Sequence, residues 1–137
     1  MGIGRVILLD THVWVWWVHG TPDLAQQQRD MIDGMASTDG VAISAISCWE
    51  VAKLVEKGRL VLTRPIEQWM PVALSAPGLV LLPLSPAIAV ESTKLPGAFH
   101  KDPADQIIVA TSRLHALPLA TCDGLIRNYQ GVVLAAI

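Results

Sequence analysis

Three features of the sequence predict a three-layer α/β domain with a mostly parallel five-stranded sheet. Short, continuously apolar runs recur and stop at an acid or turn residue, as strands buried on both faces of a parallel sheet do. Between them lie stretches with helix-start and helix-stop signals, and such alternation of strands and helices is the pattern of a layered α/β domain. The 137 residues, 1–137, make one domain of ordinary size, large enough to bury a core without staples. No internal repeat, linker or low-complexity segment interrupts it.

The elements follow in order. Residues 5–9 (RVILL) are a branched apolar run that ends at Asp10. That acid then sits at the carboxyl end of a central strand, where open α/β sheets bind their ligands. Thr11 is placed to cap helical turns over 12–19, closed by Gly20, and Thr21-Pro22 opens a second helix to about Ala36, closed by 37–40. Its QQQRD patch reads as a solvated face. Residues 41–44 form a second strand. Ser47-Cys48-Trp49-Glu50 has the pattern of a capping box opening a helix that Gly58 ends, with Glu50 bonding back to the amide of Ser47. Lys53 and Lys57 lie three and seven positions after Glu50, on roughly the same face. Ion pairing within the helix and phosphate contact both suit them.

A helix with proline at its start spans 65–75, and 78–84 (GLVLLPL) is a third buried strand. Ser85-Pro86 begins a helix to about Thr93, and 95–101 is a loop. Asp102 before Pro103 is an N-cap with proline at the first helical position. The helix it opens runs to about Ala116 and packs through Ile107, Ile108, Ala110, Thr111 and Leu114. Residues 117–121 are a fourth strand, ending at Cys122-Asp123-Gly124, and 131–134 a weaker fifth.

Composition narrows the function. The chain is 52% hydrophobic with a mean hydropathy of +0.44, yet every apolar run stops well short of the ~18 residues of a membrane span. The start, MGIGRVILLDTH, offers no apolar segment with a small-residue cleavage site, so a cytoplasmic protein outside the membrane is expected. Cys48 and Cys122 form no CxxC and no zinc spacing, which predicts free, buried thiols. A net charge of −2 means that a nucleic-acid partner is held by a local patch or by metal ions rather than by a global field. Trp14, Trp16, Trp17, Trp49 and Trp69 fit either a tryptophan-rich core or apolar surface buried against another chain.

The acids carry the chemistry. Of twelve, Asp10 and Asp123 follow strands, and Glu50, Asp102 and Asp105 fall in the first turns of helices. In a parallel α/β domain those boundaries share one edge of the sheet, so the five acids can share one pocket. Like charges within ~4–6 Å raise one another's pKa until protons or cations neutralise them. Helix N-termini each supply roughly half a positive charge, too little for the cluster. A divalent cation suffices, and hard oxygen ligands without paired His or Cys select Mg²⁺ or Mn²⁺ over Zn²⁺. Such a site suits phosphodiester hydrolysis by a metal-activated water. Lys53, Lys57, Arg59, Lys101 and Arg113 are the nearest candidates for RNA phosphate contacts.

Four stretches in series, LLDTHVWVWW at 8–17, ISAISCWEVAKLVEKGRL at 43–60, HKDPADQIIVATSRLH at 100–115 and LPLATCDGLI at 117–126, carry a resemblance. The chain resembles PIN-domain ribonucleases, specifically the VapC-type toxins of bacterial and archaeal toxin–antitoxin pairs. The resemblance implies a compact five-stranded PIN-like fold, metal-dependent endoribonuclease activity, frequent homodimerisation, and a cognate antitoxin that inserts a segment across the groove near the acids; water attack at the metal is expected to leave a 5′-phosphate. It matches Asp10 to the acid closing the first strand, Glu50 to the helix acid after the second, Asp105 to the acid of D-x-x-I-x-A-T, and Asp123 to the acid after the last core strand. Thr11 and Thr121 match hydroxyl residues neighbouring the metal site. Asp102 belongs to an H-x-D-P-x-D variant of one branch, with capping as its first role and metal contact or support as its second. Gln106 stands where that branch usually has Arg.

Other classes fit less well. A phosphoacceptor signalling domain needs an acid ending the third strand and a lysine ending the fifth, whereas this chain has Pro-Leu-Ser-Pro at 83–86 and no C-terminal lysine. A phosphatase with a nucleophilic Asp wants a second Asp where His12 stands. Metal-free RNA cleavage needs a histidine pair, and His12, His19, His100 and His115 show no convergent partner in the sequence. A catalytically silent PIN-fold module for RNA or protein interaction remains the alternative, against which the presence of all four matched acids argues.

Overall fold

The computed structural model describes residues 6–137, so the Arg5 end of the first expected strand lies outside the described residues. The elements are β1 (Ile7–Leu9), α1 (Thr11–His19), α2 (Gln26–Ser37), β2 (Val41–Ser44), α3 (Ala45–Glu56), α4 (Ile66–Leu74), β3 (Leu79–Leu82), α5 (Pro86–Glu91), α6 (Pro103–His115), β4 (Leu119–Ala120) and α7 (Gly124–Arg127). The sheet is wholly parallel in the order β3-β2-β1-β4.

The pleat turns alternate residues to opposite faces, and both faces are covered. Ile7, Leu9, Val41 and Ile43 pack into one core with Val13, Trp14, Ile32, Val51 and Trp69, which come from the first four helices. Leu8, Ala42 and Leu119 pack into a second with Ile108 and Val109 of α6 and Ile126 of α7. Burial on both faces is why these strands read as unbroken apolar runs, and it makes the domain three-layered as expected.

The sheet has four strands among the described residues, not the expected five. Residues 131–134 reach β4 only through a single parallel bridge, Leu119 to Leu134, with Leu119 N–H donating to Val133 O (2.9 Å) and Ala135 N–H to Leu119 O (2.8 Å). With β4 itself two residues long, no ladder can extend past that point. The third strand is also shorter than its apolar run and is not buried. It is an edge strand, with Val80 51% and Leu81 44% exposed.

Helix boundaries moved where tertiary contacts outweigh local signals. Asp10, not Thr11, is the N-cap residue of α1, without a side-chain cap bond, while Gly20 closes the helix in the left-handed region as expected (φ 69°). The Thr21-Pro22 signal makes a turn rather than a helix start, because Leu24 N–H bonds to Thr21 O (3.3 Å) and Leu24 is buried in the core. The helix then begins at Gln26, where Gln28 Oε1 accepts the Ala25 amide. Arg29 corrects the reading of QQQRD as a solvated face, since its guanidinium donates to Trp17 O (3.1 Å) and Thr21 O (2.9 Å). It thereby satisfies the Trp17 carbonyl at the end of α1 and braces the turn at Thr21 that follows.

Ser44, three residues before the expected cap, opens α3 by accepting the Ile46 amide (3.2 Å). Glu50 is consequently one turn further inside the helix than the capping-box reading placed it, and its carboxylate is free for other work. The short α7, capped by Asp123, has no counterpart in the sequence reading. Both cysteines are free, but Cys48 is half-buried and Cys122 exposed, against the expectation of two buried thiols. The tryptophans divide. Trp14 and Trp69 sit in the core with ring centroids 5.2 Å apart, Trp17 donates to Asp33 (2.8 Å), and Trp49 is half exposed.

Candidate active site

The register of the sheet starts the site. Leu9 of β1 is level with Ala120 of β4, so the next residues, Asp10 and Thr121, emerge side by side. The Asp10 amide donates to Ala120 O (3.0 Å), and the Thr121 hydroxyl donates to Asp10 Oδ2 (2.5 Å). Thr121 also accepts the Asp123 amide (3.0 Å). Asp10 is only 5% exposed, and burial pushes its pKa up against the opposing pull of Thr121. Thr11 is buried and donates to Ser47 Oγ (2.8 Å), tying the start of α1 to the first turn of α3.

Glu50, Asp102 and Asp105 form the centre. One carboxylate oxygen from each lies within 4.8 Å of the others. The convergence follows from α3 and α6 packing side by side with their N-termini at the same sheet edge. Asp102 is the N-cap of α6 and accepts the Asp105 amide (3.0 Å), so it keeps its capping role while also joining the cluster. Burial raises the pKa of Glu50, tempered by the nearby Thr11 hydroxyl and reinforced by Asp10 and Asp102. Asp105 is pushed up to about 6, first by burial, with a hydrogen bond from His100 opposing and the charges of Asp102, Asp10 and Glu50 adding. Asp10 thus acts on both Glu50 and Asp105. Four acids form one electrostatic unit.

Asp123 stands to one side. Its Oδ1 accepts the Leu125 and Ile126 amides (2.9 and 3.1 Å) at the start of α7, and its charge reaches the unit by raising the Asp10 pKa. His100 is the residue whose partner the sequence reading missed. Its Nε2 lies 2.7 Å from Asp105 Oδ2, and its ring stacks on Phe99 at 4.2 Å. Gln106 donates to His100 O (3.1 Å), so at the position of the branch's Arg it anchors the loop that carries the histidine. The signal was present, because a residue just before an N-cap can fold back on the first helical turn.

The expected cations separate into two groups. Lys53, Lys57 and Arg59 line a groove that also contains Glu50 and Asp102, although Lys53 is engaged with Glu56 at 2.9 Å. Lys101 is exposed in the loop beside Asp102. Arg113 is not brought to the acids. It pairs with Glu91 (3.0 Å) and donates to Gly131 O (2.6 Å), roughly 12 Å along α6 from Asp105 at 1.5 Å per residue.

The donor set fits a hard divalent cation. All its ligands are carboxylate oxygens, and Glu50 Oε1 is buried without a hydrogen-bond partner among the described residues. An unpartnered buried carboxylate oxygen is costly, and coordination of a cation satisfies it.

The family model of the PIN domain matches residues 7–132. Ribonuclease VapC22 of Mycobacterium tuberculosis is 32% identical over 124 residues, 90% of this chain and 92% of the relative. A toxin-antitoxin complex from Klebsiella pneumoniae contains a chain 26% identical with a TM-score of 0.61, covering 93% of this chain and 95% of that one. The structure of VapBC2 from Rickettsia felis bound to a promoter DNA fragment has the same fold, with a TM-score of 0.71 at 18% identity over 95% of this chain and 97% of that one. With a family model covering most of its length and that relative beside it, this chain belongs to the PIN-domain family, in its VapC-type branch.

Proposed function

We propose that the protein is a metal-dependent endoribonuclease, the toxin of a toxin–antitoxin pair, which hydrolyses RNA phosphodiesters with water as the nucleophile. The observation that carries the reading is the convergence of Glu50, Asp102 and Asp105 around an unpartnered buried oxygen. Mg²⁺ or Mn²⁺ is the ion that this donor set suits. When bound, it supplies charge against the phosphate and lowers the pKa of a water.

The chain's own residues do the rest. Asp10, Glu50, Asp105 and Asp123 hold the ion or its waters, Asp102 supports them beside Glu50 and Asp105, and Thr121 orients Asp10. Asp123 positions the start of α7 beside Asp10 and contributes its field. Lys57 and Arg59 are placed to take phosphates along the groove, with Lys53 and Lys101 at its margins. The cognate antitoxin occupies the same groove, and the protein works in the cytoplasm as a single PIN domain.

Purified protein freed of antitoxin is expected to cleave total cellular RNA with Mg²⁺ or Mn²⁺ and to stop when EDTA is added. Cleavage that ignores EDTA overturns the mechanism, and no cleavage with either metal favours the silent interaction module. A homodimer is the second part of the proposal. Exposed Val80 and Leu81 on β3, with Leu84 and Val90 following, leave apolar surface at the sheet edge of the kind that subunit contacts cover. Light scattering is expected to give twice the chain mass, and a monomer at micromolar concentration refutes it.

A further inference from the structure

Trp49 is 50% exposed, although it stands on the same helix as the core residue Val51 and next to Glu50. It lines the acid-side groove together with Lys53, Lys57 and Arg59 on one wall and Asp102 and Ala104 on the other. Lys53 and Lys57 follow it at four and eight positions on α3 and just beyond, so indole and ammonium groups stack along one helix face. A rigid aromatic plane beside a row of cations is the arrangement on which single-stranded nucleic acids bind, with bases on the ring and phosphates on the charges. A-form duplex RNA keeps its bases stacked on one another and cannot offer one to such a ring.

We infer that Trp49 is the base-stacking platform of this groove, holding a base next to the bond to be cut while Lys57 and Arg59 take the flanking phosphates. The inference rests on the ribonuclease reading for its substrate and adds to it the residue that holds a base. It commits Trp49 to RNA. A contact of Trp49 with the antitoxin is the competing occupant.

The test measures binding apart from cleavage. Fluorescence anisotropy of a labelled, unstructured oligoribonucleotide is recorded in EDTA, and that of the same oligonucleotide annealed to its complement, for the wild type, Trp49→Ala and Trp49→Phe. The wild type is expected to prefer the single strand. Trp49→Ala is expected to weaken single-strand binding by about tenfold or more, the size of one lost base–aromatic stack, with Trp49→Phe recovering most of it. Lys57→Ala is expected to lower the salt dependence of log K by roughly 0.7, one phosphate contact on a single strand. Far-UV circular dichroism establishes that each variant is folded. Equal single-strand affinity of the wild type and Trp49→Ala overturns the inference whether or not the protein cleaves RNA, as does an equal preference for the duplex. Unaltered RNA binding with lost inhibition by the antitoxin assigns Trp49 to the protein partner instead. Trp49-dependent binding without metal-dependent cleavage leaves the inference standing and removes the ribonuclease reading.

Discussion

Replacing Asp10 with asparagine is expected to lower metal-dependent RNA cleavage by at least about a hundredfold, the upper range for losing a group that merely supports a metal ligand, while the metal-free protein stays at least as stable as the wild type. Asp10 is buried and its pKa is raised, mainly by burial. A group whose folded pKa is raised contributes stability that is complete below its unfolded pKa and is lost as pH rises through the folded value. Burial makes ionisation of Asp10 costly to the fold, and a neutral amide of the same shape carries no such cost. The Thr121 hydroxyl, which now donates to Asp10 Oδ2, can donate equally to an amide oxygen. Function and stability should move in opposite directions, which a merely structural aspartate would not show. Cleavage assays and growth arrest read the first, and thermal unfolding in EDTA the second. Full growth arrest by Asp10→Asn would sink the assignment of this acid to the site.

Metal binding is expected to be strongly pH-dependent, with the transition near the Asp105 pKa. Burial and the charges of Asp102, Asp10 and Glu50 push that carboxyl up to about 6, and Glu50 is raised as well. The sign follows from linkage. The protonated cluster favours the folded state at low pH, and that contribution is lost as pH rises from about 4 through about 6. A cation bound to the ionised acids returns stability above that window and competes with protons below it. Mn²⁺ at ten times its dissociation constant is expected to stabilise the protein by about 1.4 kcal/mol at pH 7.5, roughly 4 °C in Tm for a domain of this size. At pH 5 the shift should nearly vanish. Differential scanning fluorimetry at the two pH values checks it, and equal shifts at both would show that the metal does not bind these acids.

Much of the site could be read from residue order. Asp10, Asp102, Asp105 and Asp123 stand at boundaries between strands and helices, with Glu50 one turn inside α3, and a parallel sheet brings those boundaries to one edge. Sequence alone does not say which boundary acids meet, because that depends on the packing of helices far apart in the chain. The contact of α3 with α6 selected Glu50, Asp102 and Asp105, and the register of β1 with β4 set Asp10 on Thr121. The same lack of distance information assigned Arg113 to the RNA. It lies on the right helix, but at the end remote from the acids, occupied with Glu91 and Gly131.

Apolar composition overstates burial where sheet position decides it. The run 78–84 looks like a core strand, yet sheet order leaves β3 with one neighbour and an open edge. Residues 131–134 have strand composition but meet only a two-residue strand. Hydrophobic pattern records that a segment suits a sheet, not how many partners await it.

The helix start at HKDPADQII changed most in meaning. Local chemistry by itself determined that Asp102 caps and Pro103 begins a helix, since a cap bond spans only three residues and needs no tertiary partner. Local chemistry likewise placed Gly20 in the left-handed region and determined the alternation of strand and helix that makes the layers. Only the tertiary structure decided that Asp102 would share a site with Glu50, that His100 would turn back on Asp105, and that Trp49 would face a groove rather than the core. The Asp102 cap and the Gly20 turn are settled by neighbours in sequence, whereas a carboxylate cluster and a stacking platform exist only when packing brings distant surfaces together.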